Sequence, residues 1–148
     1  MPIEVDVVSQ TRRLYHTDSA DMVIIPASEG VMGVLPHHTP VLTTLALGEL
    51  RIVEGEDVVS FVVYGGVVDV RPDKVTVLAD DAESAVELDM AEIEAARARA
   101  RALMAEAPPG EQRAQIAQEL RRAEIAAKAY GRVAGRAGTR VRSLDDED

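Results

Sequence analysis

Residues 75–104 read VTVLADDAESAVELDMAEIEAARARARALM, and the spacing of their apolar residues changes partway through. Before Leu88, short runs of Val, Leu and Thr are typical of strands. After Asp89 there is no glycine or proline until Pro108, and alanine, the best helix former, is frequent. This stretch therefore divides the chain into a β-rich part and a helical part.

In the β-rich part, short Val, Ile, Leu and Thr runs follow one another at close spacing. The predicted strands are 3–9, 21–27, 30–36, 40–46, 49–53, 58–64, 66–70 and 74–79. Turn residues separate them, and we interpret Leu47-Gly48 and Gly65-Gly66 as two such turns. No segment is long enough for the crossover helix of a βαβ unit. The pattern predicts an antiparallel sandwich or a flattened barrel over residues 1–86.

The helical part predicts an antiparallel hairpin of two amphipathic helices over residues 87–134. Asp89 resembles an N-cap, with Glu92 as its partner three residues later. The first helix has the apolar stripe Met90, Ile93, Ala96, Ala100 and Leu103, and the second has Ile116, Leu120, Ala123, Ala127, Tyr130 and Ala134. A Pro-Pro-Gly turn at 108–110 joins them. Because a seam of alanines buries little apolar area, we expect the hairpin to be weakly held. Residues 135–148 are predicted to form a flexible tail.

Charge is unevenly distributed along the chain, whose net charge is −10. Residues 1–87 carry 15 acidic and 5 basic residues, whereas 88–144 carry 7 acidic and 11 basic residues. The acidic β-rich part should repel nucleic acid, and the basic helical part could bind an acidic protein surface. The alternative is that these charges are ordinary solvated helix faces.

Amino-acid composition also argues against several classes of function. With no cysteine and no tryptophan, the chain has no thiolate chemistry and little aromatic surface for stacking on bases or sugars. No signal peptide is visible, and the apolar runs are too short to span a bilayer. We therefore expect a protein that does not insert into the bilayer and does not bind nucleic acid.

The stretch GVMGVLPHHTP at 30–40 raises the question of a metal or catalytic centre. A metal site needs three or four convergent ligands, and only His16 could join His37 and His38. A serine nucleophile elbow and a phosphate-binding loop are absent from the sequence. We interpret the segment as a stiff connecting loop with some partner surface, and we expect no catalytic residue, metal or cofactor.

Two long motifs resemble the epsilon subunit of F-type ATP synthases. The first is PASEGVMGVLPHHTPVLTTLALGELRIV at 26–53, and the second is YGGVVDVRPDKVTVLADDAE at 64–83. A weaker match is Leu88-Asp89 followed by an Ala/Arg-rich hairpin. The resemblance covers residues 3 to about 130.

The resemblance implies an α+β fold, with an N-terminal antiparallel sandwich of about ten strands and a C-terminal two-helix hairpin. It implies a non-catalytic central-stalk subunit of a proton-translocating ATP synthase, which couples the gamma subunit to the membrane rotor ring. The hairpin would inhibit ATP hydrolysis by extending into the catalytic alpha and beta subunits. Such a subunit is peripheral, and a bacterial one lies on the cytoplasmic face of the plasma membrane.

Site residues follow from the resemblance by position. Residues Ser28, Glu29, Gly30, Val31 and Met32 would face the rotor ring, and His38, Thr39, Pro40, Val41 and Leu42 would lie near gamma. Arg113, Arg121, Arg122 and Lys128 would meet the acidic segment of the catalytic subunits in the extended state.

Some members bind ATP through a Leu/Ile-Asp-x-x-Arg-Ala motif. Here Leu88 and Asp89 are present, but Glu92 replaces the arginine and Ile93 the alanine. Since a carboxylate repels phosphate, we expect weak or absent ATP binding. The competing hypothesis for the whole chain is a free-standing β-sandwich binding module, for instance for carbohydrate, that dimerises through its helices.

Overall fold

The computed structural model describes residues 2–135, and their side chains as far as Arg132. The strands are β1 Ile3–Val8, β2 Arg13–Ala20, β3 Met22–Ala27, β4 Gly30–Val34, β5 Val41–Glu54, β6 Asp57–Val70, β7 Lys74–Ala79 and β8 Ala82–Ser84. A 3₁₀ turn at Ala85–Glu87 leads to the helices α1 Met90–Glu106 and α2 Glu111–Gly135. Of the predicted tail, residues 136–148 lie outside the described residues.

The strands form one hydrogen-bonded path in the order β2-β1-β7-β6-β5-β3-β4, and β8 pairs with β6. This path folds over on itself. Tyr15 on β2 and Phe61 on β6 have ring centroids 6.1 Å apart, although β1 and β7 lie between their strands. Because neighbouring strands are about 4.8 Å apart, three steps across a flat sheet would separate the rings by roughly 14 Å. The two rings therefore meet between two facing layers.

The long strands β5 and β6 each run from one layer into the other. On β6 the core residues are first the odd-numbered Phe61 and Val63, then the even-numbered Val68 and Val70. The inward face of the strand thus changes at Gly65-Gly66, where both residues have positive φ, 97° and 133°. A Cβ on Gly66 would overlap the carbonyl oxygen of Leu78, so glycine is required at this corner.

Each layer consequently contains five strand segments. One holds β2, β1, β7, the second half of β6 and the first half of β5; the other holds β8, the remaining halves of β6 and β5, and β3 and β4. The predicted α+β fold with a sandwich of about ten strands is confirmed in this sense, although only eight continuous strands are present in the described residues.

Three details of the predicted sandwich are wrong. Leu47-Gly48 and Gly65-Gly66 lie inside continuous strands rather than in turns. The sandwich is not wholly antiparallel, because β1 and β7 pair in parallel. Strands β2 and β8 were missed, since RLYHTDSA is mostly polar and β8 has three residues.

The helical prediction is close to the structure. Asp89 caps α1, and its Oδ1 accepts a hydrogen bond from the Ala91 amide at 2.9 Å. On α1, Ile93 and Ala100 are buried, but Leu103 is exposed, contrary to the predicted stripe. On α2, Ala126 and Ala129 are buried in addition to Ile116 and Ala123, so α2 has a second apolar face. Within the described residues, no helix is both long enough and apolar enough to span a membrane.

Candidate functional site

Helix α2 lies between α1 and the sandwich. It packs along α1 on one side and contacts β5, β6 and the 3₁₀ turn on the other. The hairpin is therefore docked on the sandwich in this structure, and the surface between α2 and the two long strands decides how firmly it is held.

The apolar part of this surface is small. Val62, Ala85 and Ala129 form its buried centre, and Tyr64, Leu88 and Ile125 pack partly around them. This cluster is separate from the main core, which lies between the two layers. Because the α2 side of the centre is an alanine, the apolar area buried by docking is modest.

Polar contacts to Glu49 on β5 strengthen the docking. Arg132 Nε lies 2.9 Å from Glu49 Oε1, and the Ser60 hydroxyl donates to Glu49 Oε2 at 2.7 Å. Arg51 Nε lies 3.8 Å from the same carboxylate. The Glu49 side chain is 11% exposed and that of Arg132 35%, so this pair is better shielded from solvent than an ordinary surface ion pair.

Tyr64 on β6 provides a second anchor. The Arg122 guanidinium lies over its ring, 4.2 Å from the centroid, and its hydroxyl donates to Glu83 Oε2 at 2.7 Å. Burial and the hydrogen bond to Glu83 raise the pKa of Tyr64 above its ordinary value of 10.0, so the phenol stays protonated. A neutral ring under a guanidinium is a favourable cation–π arrangement.

The four bases assigned to inhibition do not form one cluster. Arg113 donates to the carbonyl oxygen of Ala107 at the helix turn, and Arg122 rests on Tyr64. Arg121 and Lys128 are exposed and lie on a third part of α2 that faces β3 and β5.

The segment assigned to the rotor ring lies at the edge of the sandwich. Residues Ser28 and Glu29 form the turn between β3 and β4, and Gly30, Val31 and Met32 begin the edge strand β4. The Ser28 hydroxyl and amide both bond to Thr44, which fixes the turn. Val31 is 77% exposed, whereas Met32 packs against the core.

The segment assigned to gamma leads into an apolar surface that the motifs did not indicate. His38 and Thr39 precede β5, and His38 Nδ1 bonds to the Thr39 carbonyl oxygen at 2.7 Å. Leu42, at the start of β5, is 73% exposed. It shares the outside of its layer with Val67 and Leu78, which are opposite one another on β6 and β7 and are also exposed. We call Leu42, Val67 and Leu78 the outer apolar face.

His16, considered above as a third ligand for the histidine loop, instead pairs with Asp6 on the neighbouring strand β1. Its Nδ1 lies 2.7 Å from Asp6 Oδ1, and Glu4 is close enough to complete a possible metal-ligand group. However, Lys74 Nζ lies 3.1 Å from Glu4 and 3.4 Å from Asp6, so an ammonium group already balances these carboxylates. Burial opposes ionisation of Asp6, but the hydrogen bonds to His16 and Lys74 outweigh it and lower its pKa.

A cavity of about 800 Å³ lies at the base of the hairpin, next to Leu88 and Asp89. Its ionisable lining is dominated by carboxylates. The acidic residues are Asp81, Glu83, Glu87, Asp89, Glu92 and Glu119, and the basic ones are Arg12, Arg99 and Arg122. A polyphosphate in this cavity would face more negative than positive charge.

The sequence analysis did not identify Glu49, Tyr64 and Arg132, which make polar contacts between α2 and the sandwich. Their partners are far apart in the chain, and a lone Glu or Tyr in a strand carries no local signal. The second apolar face of α2 could have been predicted from the sequence, because Ile125 and Ala129 are four residues apart and so lie on one side of a helix.

Comparison with known proteins gives consistent matches. A family model described as "ATP synthase, Delta/Epsilon chain, beta-sandwich domain" matches residues 2–85. The ATP synthase epsilon chain of Dehalococcoides mccartyi (strain CBDB1) is 42% identical over 127 residues, which cover 85% of this chain and 90% of the relative. That of Acidithiobacillus ferridurans is 47% identical over 105 residues, covering 71% and 74%.

Solved structures of similar fold come from two ATP synthases. A chain of the Euglena gracilis mitochondrial ATP synthase (OSCP/F1/c-ring) aligns with a TM-score of 0.70 and 24% identity, over 90% of this chain and 80% of that one. A chain of the Tetrahymena thermophila mitochondrial ATP synthase central stalk and c-ring aligns with a TM-score of 0.56 and 17% identity, over 88% and 97%. At these identities the likeness concerns the fold.

Proposed function

The chain belongs to the ATP synthase delta/epsilon family, and from this premise we propose that it is the epsilon-type central-stalk subunit of a proton-translocating F-type ATP synthase. It is a non-catalytic subunit whose partners are gamma, the rotor ring and the catalytic alpha and beta subunits. The sandwich, residues 1–86, attaches the subunit to the rotor, and the hairpin, residues 87–134, regulates ATP hydrolysis.

The observation that carries the regulatory part is the surface between α2 and the sandwich. Its apolar centre is small, and much of the remaining contact comes from the Arg132–Glu49 pair and the Arg122–Tyr64 stack. Contacts of this kind can be exchanged for others of similar strength on a partner. We propose that the hairpin leaves the sandwich, and that Arg113, Arg121, Arg122 and Lys128 then contact an acidic segment of the catalytic subunits.

The energy needed for this exchange is moderate. Shifting a two-state equilibrium from 1:99 to 99:1 takes about 5.5 kcal/mol of differential binding. Several charged contacts to gamma and the catalytic subunits are sufficient for that. The isolated subunit keeps the docked arrangement.

For the attachment to gamma, we propose the segment His38–Leu42 together with the outer apolar face. An exposed leucine beside two more exposed apolar side chains on one sheet face is a feature of protein interfaces. The edge turn Ser28–Met32 contacts the rotor ring, and the exposed Val31 makes the contact at position 31 apolar rather than charged. The subunit is peripheral, and we place it on the cytoplasmic face of a bacterial plasma membrane.

We propose that ATP binds weakly or not at all. The support is the acidic lining of the cavity beside Asp89 and Glu92, where phosphate groups would be repelled. Isothermal titration of the isolated subunit with ATP measures this directly, and a micromolar dissociation constant would contradict it.

Two measurements test the proposal as a whole. The full chain should co-purify with gamma, whereas Leu42→Asp with Leu78→Asp should not; Val86→Asp, another exposed apolar position, is the matched control. Deleting residues 88–148 should leave assembly intact and raise the ATPase activity of the complex. Unchanged hydrolysis after this deletion would rule out an inhibitory hairpin, and failure to bind gamma would rule out the stalk assignment.

A further inference from the structure

A cationic groove of about 370 Å³ lies between α2 and the outer side of β3 and β5. Its α2 side consists of Arg121, Ile125, Lys128 and Arg132, whose spacing of four, three and four residues puts them on one helix face. Arg51 and Glu49 on β5 face them, and Ser28 and mainly apolar residues, including Leu47, complete the lining. We use the name cationic groove for the space bounded by Arg51, Arg121, Lys128 and Arg132.

Among the lining residues of this groove that the structure describes, basic side chains outnumber carboxylates. Glu49 is the one carboxylate among its described lining residues, and it is shared between Arg132 and Arg51. Arg121 and Lys128 make no ion pair with a described residue. Two free cations beside a partly apolar floor, in a chain of net charge −10, fit an acidic segment.

The chain contains such a segment close by in sequence. Residues 145–148 read DDED and begin ten residues after Gly135, where α2 ends. Ten residues reach at most about 33–36 Å. The distance back along α2 from Gly135 to Arg121 is about 21 Å, at 1.5 Å per residue. The acidic run is therefore within reach of the whole groove.

We propose that residues 145–148 bind in the cationic groove of the same molecule. The acidic run pairs with Arg121 and Lys128 while Arg51 draws it toward β5. Since Arg51 belongs to the sandwich and the other two cations to α2, the bound run bridges the two parts. It binds the docked hairpin more tightly than an open one and so favours docking. The same run covers two of the bases that we assign to contacts with the catalytic subunits.

Paramagnetic relaxation in the isolated full chain tests this. The chain has no cysteine, so Ser143→Cys gives a single site for a nitroxide label. At low ionic strength we expect the amide signals of Ile125 and Lys128 to lose intensity and to recover when the label is reduced. High salt, which screens the charges, should abolish the loss.

Two variants test the contact, one by changing the acidic run and the other by changing the groove. Neutralising the run (Asp145→Asn, Asp146→Asn, Glu147→Gln and Asp148→Asn) should abolish the broadening, and so should Arg121→Glu with Lys128→Glu. The matched control, Arg12→Glu with Arg101→Glu, makes the same charge change on exposed residues away from the groove and should preserve it. A circular dichroism spectrum of each variant confirms that its helices are intact.

Three results would overturn the proposal: no broadening at low salt, broadening that survives neutralisation of the run, or broadening that appears only when isotope-labelled and spin-labelled molecules are mixed. The last would indicate a contact between copies. The experiment uses the subunit alone, so its outcome is independent of whether the subunit binds gamma or inhibits hydrolysis.

Discussion

Arg132 Nε lies 2.9 Å from Glu49 Oε1, and this ion pair joins the end of α2 to the middle of β5. Glu49 is held in place from the other side by the Ser60 hydroxyl. The carboxylate is therefore already positioned when α2 docks, so little side-chain entropy is lost on its side of the pair.

Removing the charge of Glu49 should loosen the hairpin without affecting the sandwich. For Glu49→Gln we expect docking to weaken by about 1 kcal/mol, which is roughly a fivefold rise in the open population. Hydrogen exchange of α2 amides, followed by mass spectrometry, measures this opening. Glu56→Gln, at an exposed turn, should leave exchange unchanged. Equal exchange in both variants would show that the pair does not hold α2.

Overpacking the apolar centre should also open the hairpin, with a consequence for the assembled enzyme. Ala129 is fully buried against Val62 and Ala85, so Ala129→Leu should cost about 1–3 kcal/mol of docking. If the open hairpin inhibits, ATP hydrolysis by the complex should fall, which is opposite to the effect of deleting residues 88–148. Ala114→Leu, exposed on α2, is the control. Higher hydrolysis with Ala129→Leu would contradict the inhibitory model.

Local patterns were enough to predict the two-part fold, because the change from strand-like to helical spacing near Leu88 is a property of neighbouring residues. They were not enough to locate the corner at Gly65-Gly66. A glycine pair with positive φ serves a turn and a bent strand equally well, and only the pairing of β6 with both β5 and β7 distinguishes them.

The candidate sites were predictable to different degrees. The edge turn at Ser28–Met32 and the segment at His38–Leu42 were assigned from the family resemblance and stay predictions; the structure exposes Val31 and Leu42. The outer apolar face was not foreseeable, since Val67 and Leu78 become neighbours of Leu42 through strand pairing. Likewise, Arg121 and Arg122 are adjacent in sequence, yet the helix directs them to different surroundings.

Asp6, with its partners His16 and Lys74, should make the free energy of unfolding depend on pH in the acid range. The pKa of Asp6 in the folded state is below its ordinary value of 3.8. The unfolded chain therefore binds the proton first, so the stabilisation is complete above about pH 4 and is lost as pH falls through the folded-state pKa. Asp6→Asn should flatten the dependence of unfolding free energy on pH in that window, as measured by urea titrations. Asp18→Asn, an exposed carboxylate on β2, should keep the wild-type slope.

The corner at Gly66 should be the position in the sandwich where a single methyl group is most costly. Its φ of 133° is strained for any other residue, and an added Cβ would overlap the Leu78 carbonyl oxygen, which is backbone and cannot rotate away. For Gly66→Ala we expect the unfolding free energy to fall by about 3 kcal/mol.

Gly33→Ala is the matched control, because its Cβ would meet no atom within 4 Å and its φ is ordinary, so stability should change by less than about 0.5 kcal/mol. Denaturant unfolding of both variants decides the point. Equal stability of the two variants would show that the corner of β6 does not require glycine at position 66.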